Sequence, residues 1–181
     1  MTEQFARAAF HESGHAAACI VLGLRVSSVT IERTVTTDRN GWEAFAGVTQ
    51  VDLGDPLCTA IVCLAGPAAS RRLSAGDTQT GMEGDYRRAD KAIDAATGEC
   101  NSFPNLSVYG CRRANIALQV RASAEQIAEH HWPEIVAIAN ALLECKTIGG
   151  DAAVQLFERS LHSRGGRVWA HAAAMPSGGP K

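Results

Sequence analysis

The pentapeptide His11-Glu12-Ser13-Gly14-His15 lies inside an alanine-rich run that extends from Ala8-Ala9-Phe10 to Ala16-Ala17-Ala18. Few residues between Thr2 and about Leu22 oppose a helix, and Thr2 with Glu3 can cap its start, so this stretch predicts a first helix. Two histidines four apart on a helix project from one face. His11 and His15 can therefore hold one zinc ion through ring nitrogens, while Glu12, one step round, lies next to the metal's open position. An H-E-x-x-H string arises by chance in roughly one in a hundred chains of this make-up, so the surroundings have to carry the reading. Here they are a helix with small apolar neighbours, in which the geometry works.

Outward from this helix the chain patterns as mainly α (α+β). After Gly23-Leu24, the run Val26 to Glu32 alternates as a half-buried strand does. A polar loop, Thr36 to Gly41, leads to a second strand over Ala44 to Val51, and the two strands predict a small β-hairpin whose edge could pair with an extended peptide. Asp55-Pro56 is an N-cap followed by proline at the first helical position, and Leu57, Ile61, Leu64, Ala68 and Leu73 recur at helical spacing until Ser74-Ala75-Gly76. A loop over Gly76 to Gly81 precedes a helix that starts near Glu83 to Asp85 and is closed by Gly98. The stretch Glu99 to Ser107 reads as loop. The region from about Val108 to Cys145 is helical, with Pro133 predicting a kink or two helices meeting near His131-Trp132. Thr147 to Gly150 leads into a last helix through Val154, Leu156, Phe157 and Leu161, and residues 164–181 read as a disordered tail after one domain over 1–163.

Composition narrows the function classes. At 181 residues, 46% hydrophobic and 20% charged, the chain can bury one sizeable core. Its formal charge of −2, and basic runs no longer than the pairs Arg71-Arg72, Arg87-Arg88 and Arg112-Arg113, argue against a nucleic-acid partner. The apolar runs Ala16 to Val26 and Thr59 to Ala69 are too short to span a bilayer, and no basic stretch followed by an apolar block opens the chain. The expectation is a soluble cytoplasmic protein. Cys19, Cys58, Cys63, Cys100, Cys111 and Cys145 form no C-x-x-C pair and read as small buried thiols in a reducing compartment.

Catalytic zinc usually takes three protein ligands and a water, so the two histidines leave the site one ligand short. Chemistry admits Asp77, Glu83, Asp85, Asp90, Glu99, Glu125, Glu129, His130, His131, His162 or His171, and spacing does not choose among them. Two histidines and a carboxylate would also accept iron(II), cobalt(II) or nickel(II).

The run Ala9-Phe10-His11-Glu12-Ser13-Gly14-His15-Ala16 resembles the active-site helix of the FtsH-type zinc metalloproteases, the peptidase part of membrane-bound AAA proteases, which read H-E-A-G-H-A. Val26 to Ile31 is similar to that family's following strand, and Ile61-Val62-Cys63-Leu64-Ala65-Gly66-Pro67-Ala68-Ala69 to its glycine-containing, alanine-rich helix. Thr80-Gly81-Met82-Glu83-Gly84-Asp85-Tyr86-Arg87-Arg88-Ala89 looks like the T-G-A-x-x-D-L-x-x-A segment whose aspartate is the third zinc ligand, and so implies that role for Asp85. His131 to Glu144 and Thr147-Ile148-Gly149-Gly150 resemble the closing helices and the short T-L-x-G step. The resemblance thus spans most of residues 5–160.

What it implies is a zinc metalloendopeptidase with His11, His15 and Asp85 on the metal and Glu12 as general base. The chain departs from the family in Ser13, Met82 and Tyr86, and in having no G-x-x-x-x-G-K-[ST], so it has no ATPase activity by that route. The expectation is a stand-alone peptidase domain that cuts unfolded or flexible chains or borrows an ATPase partner in trans, with a homo-oligomer possible and the family's ring in doubt. The alternative is a non-catalytic, zinc-containing module that binds or regulates another protein. An intact Glu12 speaks against it, since a purely structural site gains nothing from a general base.

Overall fold

The alanine-rich stretch forms α1 (Glu3–Val21) and delivers the chain into strand β1 (Val26–Thr30). These coordinates are a computed structural model that describes residues 3–32, 36–37, 43–44, 48–51, 54–74, 82–98 and 106–165. The expected Thr2 cap, the loop over Gly76 to Gly81, most of the Glu99 to Ser107 loop and nearly all of the C-terminal tail fall outside them. Strands β2 (Thr36–Thr37), β3 (Glu43–Ala44) and β4 (Val48–Val51) follow β1. Helices α2 (Pro56–Leu73), α3 (Glu83–Thr97), α4 (Leu106–His130) and α5 (Trp132–Cys145) come next. The described chain closes with β5 (Thr147–Gly149) and α6 (Gly150–Ser163).

The mainly α class holds, and local chemistry explains its boundaries. Asp55 accepts a hydrogen bond from the Cys58 amide at 2.9 Å and so satisfies one of the free donors at the start of α2. Pro67 lies inside that helix and withholds the amide the Cys63 carbonyl would otherwise accept, yet α2 continues through it to Leu73. Gly98, at φ 80°, ends α3 in a conformation that favours glycine. The helical region around Pro133 resolves into two helices, since His131 separates α4 from α5.

The sheet is larger than a hairpin. β1 pairs antiparallel with β4, from Val26 opposite Val51 to Thr30 opposite Val48, with a bulge between Val26 and Ser28. On its other side β1 pairs with β5, giving the order β4-β1-β5. The Thr36 to Gly41 stretch, expected to be loop, instead contributes β2, whose two residues pair with β3, so the expected second strand is split into β3 and β4. β5, where the sequence predicts only a lead-in to the last helix, has three residues, too few to show an alternating pattern. It turns directly into α6 at Gly150, where a Cβ would overlap the Val26 carbonyl and lie 2.6 Å from its carbon.

One apolar cluster joins α1, α2, α5 and α6 to β1, with Ala9, Ala16, Val29, Ala65, Ile135, Ile138, Leu142 and Phe157 buried in it. Burial of this set is the main favourable term in folding. The fully buried Glu134 accepts hydrogen bonds from Arg164 at 3.2 and 2.9 Å and from Ser160 at 3.2 Å, pinning the end of α6 to the start of α5. Among the described residues no helix is long and apolar enough to cross a membrane.

Candidate metal centre

The site grows from the way α1 and α2 lie together. A Cβ on Gly14 would meet the Ala65 carbonyl oxygen at 2.6 Å and the Ala69 Cβ at 2.7 Å, so the two helices touch almost backbone to backbone. Opposite His15, α2 presents Gly66, where a Cβ would run into the imidazole. Small residues on both helices thus clear the space in which two rings stand edge to face, with centroids 4.7 Å apart and planes at 85°. At the first turn of α3, Asp85 enters the same space.

Three donor atoms converge there. His11 Nε2 lies 2.9 Å from Asp85 Oδ2 and 3.1 Å from His15 Nε2, and His15 Nε2 lies 3.6 Å from Asp85 Oδ2. Zinc with bonds of 2.0–2.1 Å sets its tetrahedral ligands about 3.3 Å apart, so the triangle has the size such an ion needs. The donor set, two imidazoles and one carboxylate, also suits zinc chemically. Glu12 is 6% exposed, and one of its carboxylate oxygens lies within 4.8 Å of a ring nitrogen of each histidine, close enough to be a further donor to an ion held there.

The far sides of both rings are held. His15 Nδ1 is 2.7 Å from the Val62 carbonyl oxygen, which can only accept. The ring proton therefore sits on Nδ1, and the Nε2 lone pair of the neutral ring faces the triangle. His11 Nδ1 is 3.1 Å from Ser70 Oγ, a matching orienting contact. Such outer hydrogen bonds fix the tautomer and raise ligand basicity. Ser70→Ala is expected to lower metal affinity about 10- to 100-fold by chelator competition while leaving the helices intact.

Without a cation the triangle behaves as an ion-pair site. Burial disfavours a charged His15, but the Asp85 hydrogen bond, the Glu12 and Asp85 charges and the Val62 carbonyl outweigh it and raise its pKa to about 9. Burial alone would raise the Asp85 carboxyl, yet hydrogen bonds from His11 and His15 hold it well below the usual carboxylate range. The excess negative charge that attracts a proton to His15 is what a metal cation would neutralise.

The pH dependence follows in sign. The His15 contribution to stability is complete below about pH 6.5, its unfolded value, and is lost as pH rises to about 9. The Asp85 contribution is present above about pH 4 and lost in acid. Metal-free protein is therefore expected to melt at a lower temperature at pH 9 than at pH 6. Metal must displace the His15 proton, so the stabilisation that added zinc gives is expected to grow over the same interval. Thermal melts with and without zinc check both slopes.

The other acidic and histidine candidates go elsewhere. Asp90 pairs with Arg113, and Glu125 with Arg71. His162 Nδ1 contacts the Glu158 carbonyl, and His131 lies beside Glu134. Glu83, Glu129 and His130 are exposed, and Asp77, Glu99 and His171 lie outside the described residues. Of the thiols, Cys19 and Cys63 are buried, and burial pushes them up to about 12 and about 11, which keeps both as neutral thiols near pH 7. Cys145 is exposed, against the expectation of a buried thiol. Sequence reasoning missed Val62, Gly66 and Ser70 as site residues. Gly66 alone left a signal, as a glycine inside an otherwise strong helical run. No protein-family model and no curated protein sequence matches the chain.

Proposed function

We propose that the chain is a zinc-dependent metalloendopeptidase of the kind its resemblance to the FtsH-type peptidases suggests, acting in the cytoplasm on unfolded or flexible protein segments. The observation that carries this reading is the convergence of His11 Nε2, His15 Nε2 and Asp85 Oδ2 with the Glu12 carboxylate beside them. His11, His15 and Asp85 would hold the ion. When bound, zinc supplies a Lewis acid that polarises a carbonyl and makes water more acidic.

The protein's own groups do the rest. Glu12 takes the proton of the attacking water as its oxygen adds to the peptide carbonyl, and returns that proton to the leaving nitrogen. Its burial keeps it close to the reacting atoms and out of bulk solvent. The Val62 carbonyl and Ser70 hydroxyl keep the two imidazoles in register throughout. Among the described residues β4 is the outer strand of its sheet and packs against α1, the helix that carries His11 and His15, so an extended chain could add to it by backbone pairing. Pairing along several residues and cutting between them both need a segment free to leave its own fold, which favours flexible chains as the substrate class.

The test is cleavage of an unfolded, casein-like protein. The expected result is cleavage that a chelator abolishes and zinc restores. Stoichiometric zinc with no cleavage would favour the non-catalytic binding module.

A further inference from the structure

Arg88 stands one turn beyond Asp85 on α3, with Nη1 4.0 Å from Asp85 Oδ1, the carboxylate oxygen that the histidines leave unused. Its side chain is 75% exposed, so the guanidinium lies at the rim of the metal centre with its outer face in solvent. Three other arginines of the described residues, Arg71, Arg72 and Arg113, are engaged elsewhere. Arg71 donates to the Tyr86 hydroxyl and pairs with Glu125, Arg72 lies over the Trp132 ring, and Arg113 bridges Asp90 and Asp94. The Arg88 charge also reaches the Cys63 thiol on α2, where it opposes that of Asp85.

A bound dication would draw on Asp85 through Oδ2, leaving Arg88 with one face on Oδ1 and its other face open to solvent for a second carboxylate. An extended peptide advances about 3.3–3.6 Å per residue, so groups up to about two residues from the scissile bond come within reach of so long a side chain. We propose that Arg88 selects substrates carrying a carboxylate within about two residues of the cut, either an acidic side chain or the substrate's own C-terminus, through a guanidinium–carboxylate pair. The proposal rests on the peptidase reading of the metal centre.

Binding tests it apart from catalysis. The full chain with Glu12→Gln, loaded with zinc, is titrated by fluorescence anisotropy against three labelled peptides. One has Glu near its centre and an amidated C-terminus, one has Gln there with a free C-terminus, and one has Gln and an amide. The expected result is that a carboxylate peptide binds about five-fold tighter than the neutral one, with the advantage shrinking at high salt. Which of the two carboxylate peptides shows it identifies the source, and adding Arg88→Gln removes the advantage without removing zinc. Equal affinity for all three peptides would overturn the proposal, as would an equal weakening of all three by Arg88→Gln. Zinc loss in Arg88→Gln would overturn it too, making Arg88 a positioning residue for Asp85. If wild-type protein cleaves no peptide while the discrimination persists, the carboxylate site stands and the peptidase reading fails.

Discussion

Gly66→Ala is expected to cost the protein its metal while leaving its helices in place. The added methyl would lie 2.6 Å from Cε1 and 2.9 Å from Cδ2 of His15, inside van der Waals contact with the ring. The ring cannot swing away cheaply, because its Nδ1 is bonded to Val62 on the same helix and the residue is 7% exposed. Overpacking of this kind costs about 1–3 kcal/mol, whereas alanine gains about 1 kcal/mol over glycine in a helix interior. The net loss of stability is therefore modest, and the damage concentrates on where His15 Nε2 points. Zinc affinity should fall by about 10- to 100-fold with far-UV circular dichroism nearly unchanged. An alanine variant that binds zinc as wild type does would mean that His15 is not where the structure puts it.

Glu12→Gln should have the opposite profile, with metal retained and turnover lost. Glutamine has the shape of glutamate but cannot take a proton from water, and loss of a general base costs about 10²- to 10⁴-fold in rate. If His11, His15 and Asp85 hold the ion and Glu12 serves as the base, zinc content should stay near one per chain. Single-turnover cleavage of a quenched unfolded substrate, with metal analysis of the same sample, measures both quantities. Wild-type rates in the variant would remove Glu12 from the mechanism, and lost zinc would make it a ligand.

Much of the fold was legible because local chemistry marks it. Asp55-Pro56 announces α2, Gly98 closes α3 and Pro133 divides the long helical region, each by a rule that acts within a few residues. β5 carries no such mark, since Thr147-Ile148-Gly149 becomes a strand only because β1 offers it an edge. The site divides in the same way. His11, Glu12 and His15 share one helical turn and can be read from spacing alone. Asp85 meets them from 74 residues away, and nothing in its neighbourhood distinguishes it from Glu83 in the same first turn. Only the resemblance to a known segment had singled it out. Ser70 and the Val62 carbonyl reach their imidazoles across 59 and 47 residues, a pairing set by the close crossing of α1 and α2. Gly14 and Gly66 make that crossing possible, and their meaning appears only when the two helices are seen together.

The most direct measurement of the central claim is zinc content by mass spectrometry on purified wild type, His15→Ala and Asp85→Ala, with cleavage of an unfolded, fluorescently quenched protein followed in parallel. A three-ligand peptidase centre predicts near one zinc per chain in wild type, a loss in both variants, and cleavage that falls with the metal. Asp85→Ala protein that keeps both zinc and cleavage would contradict it.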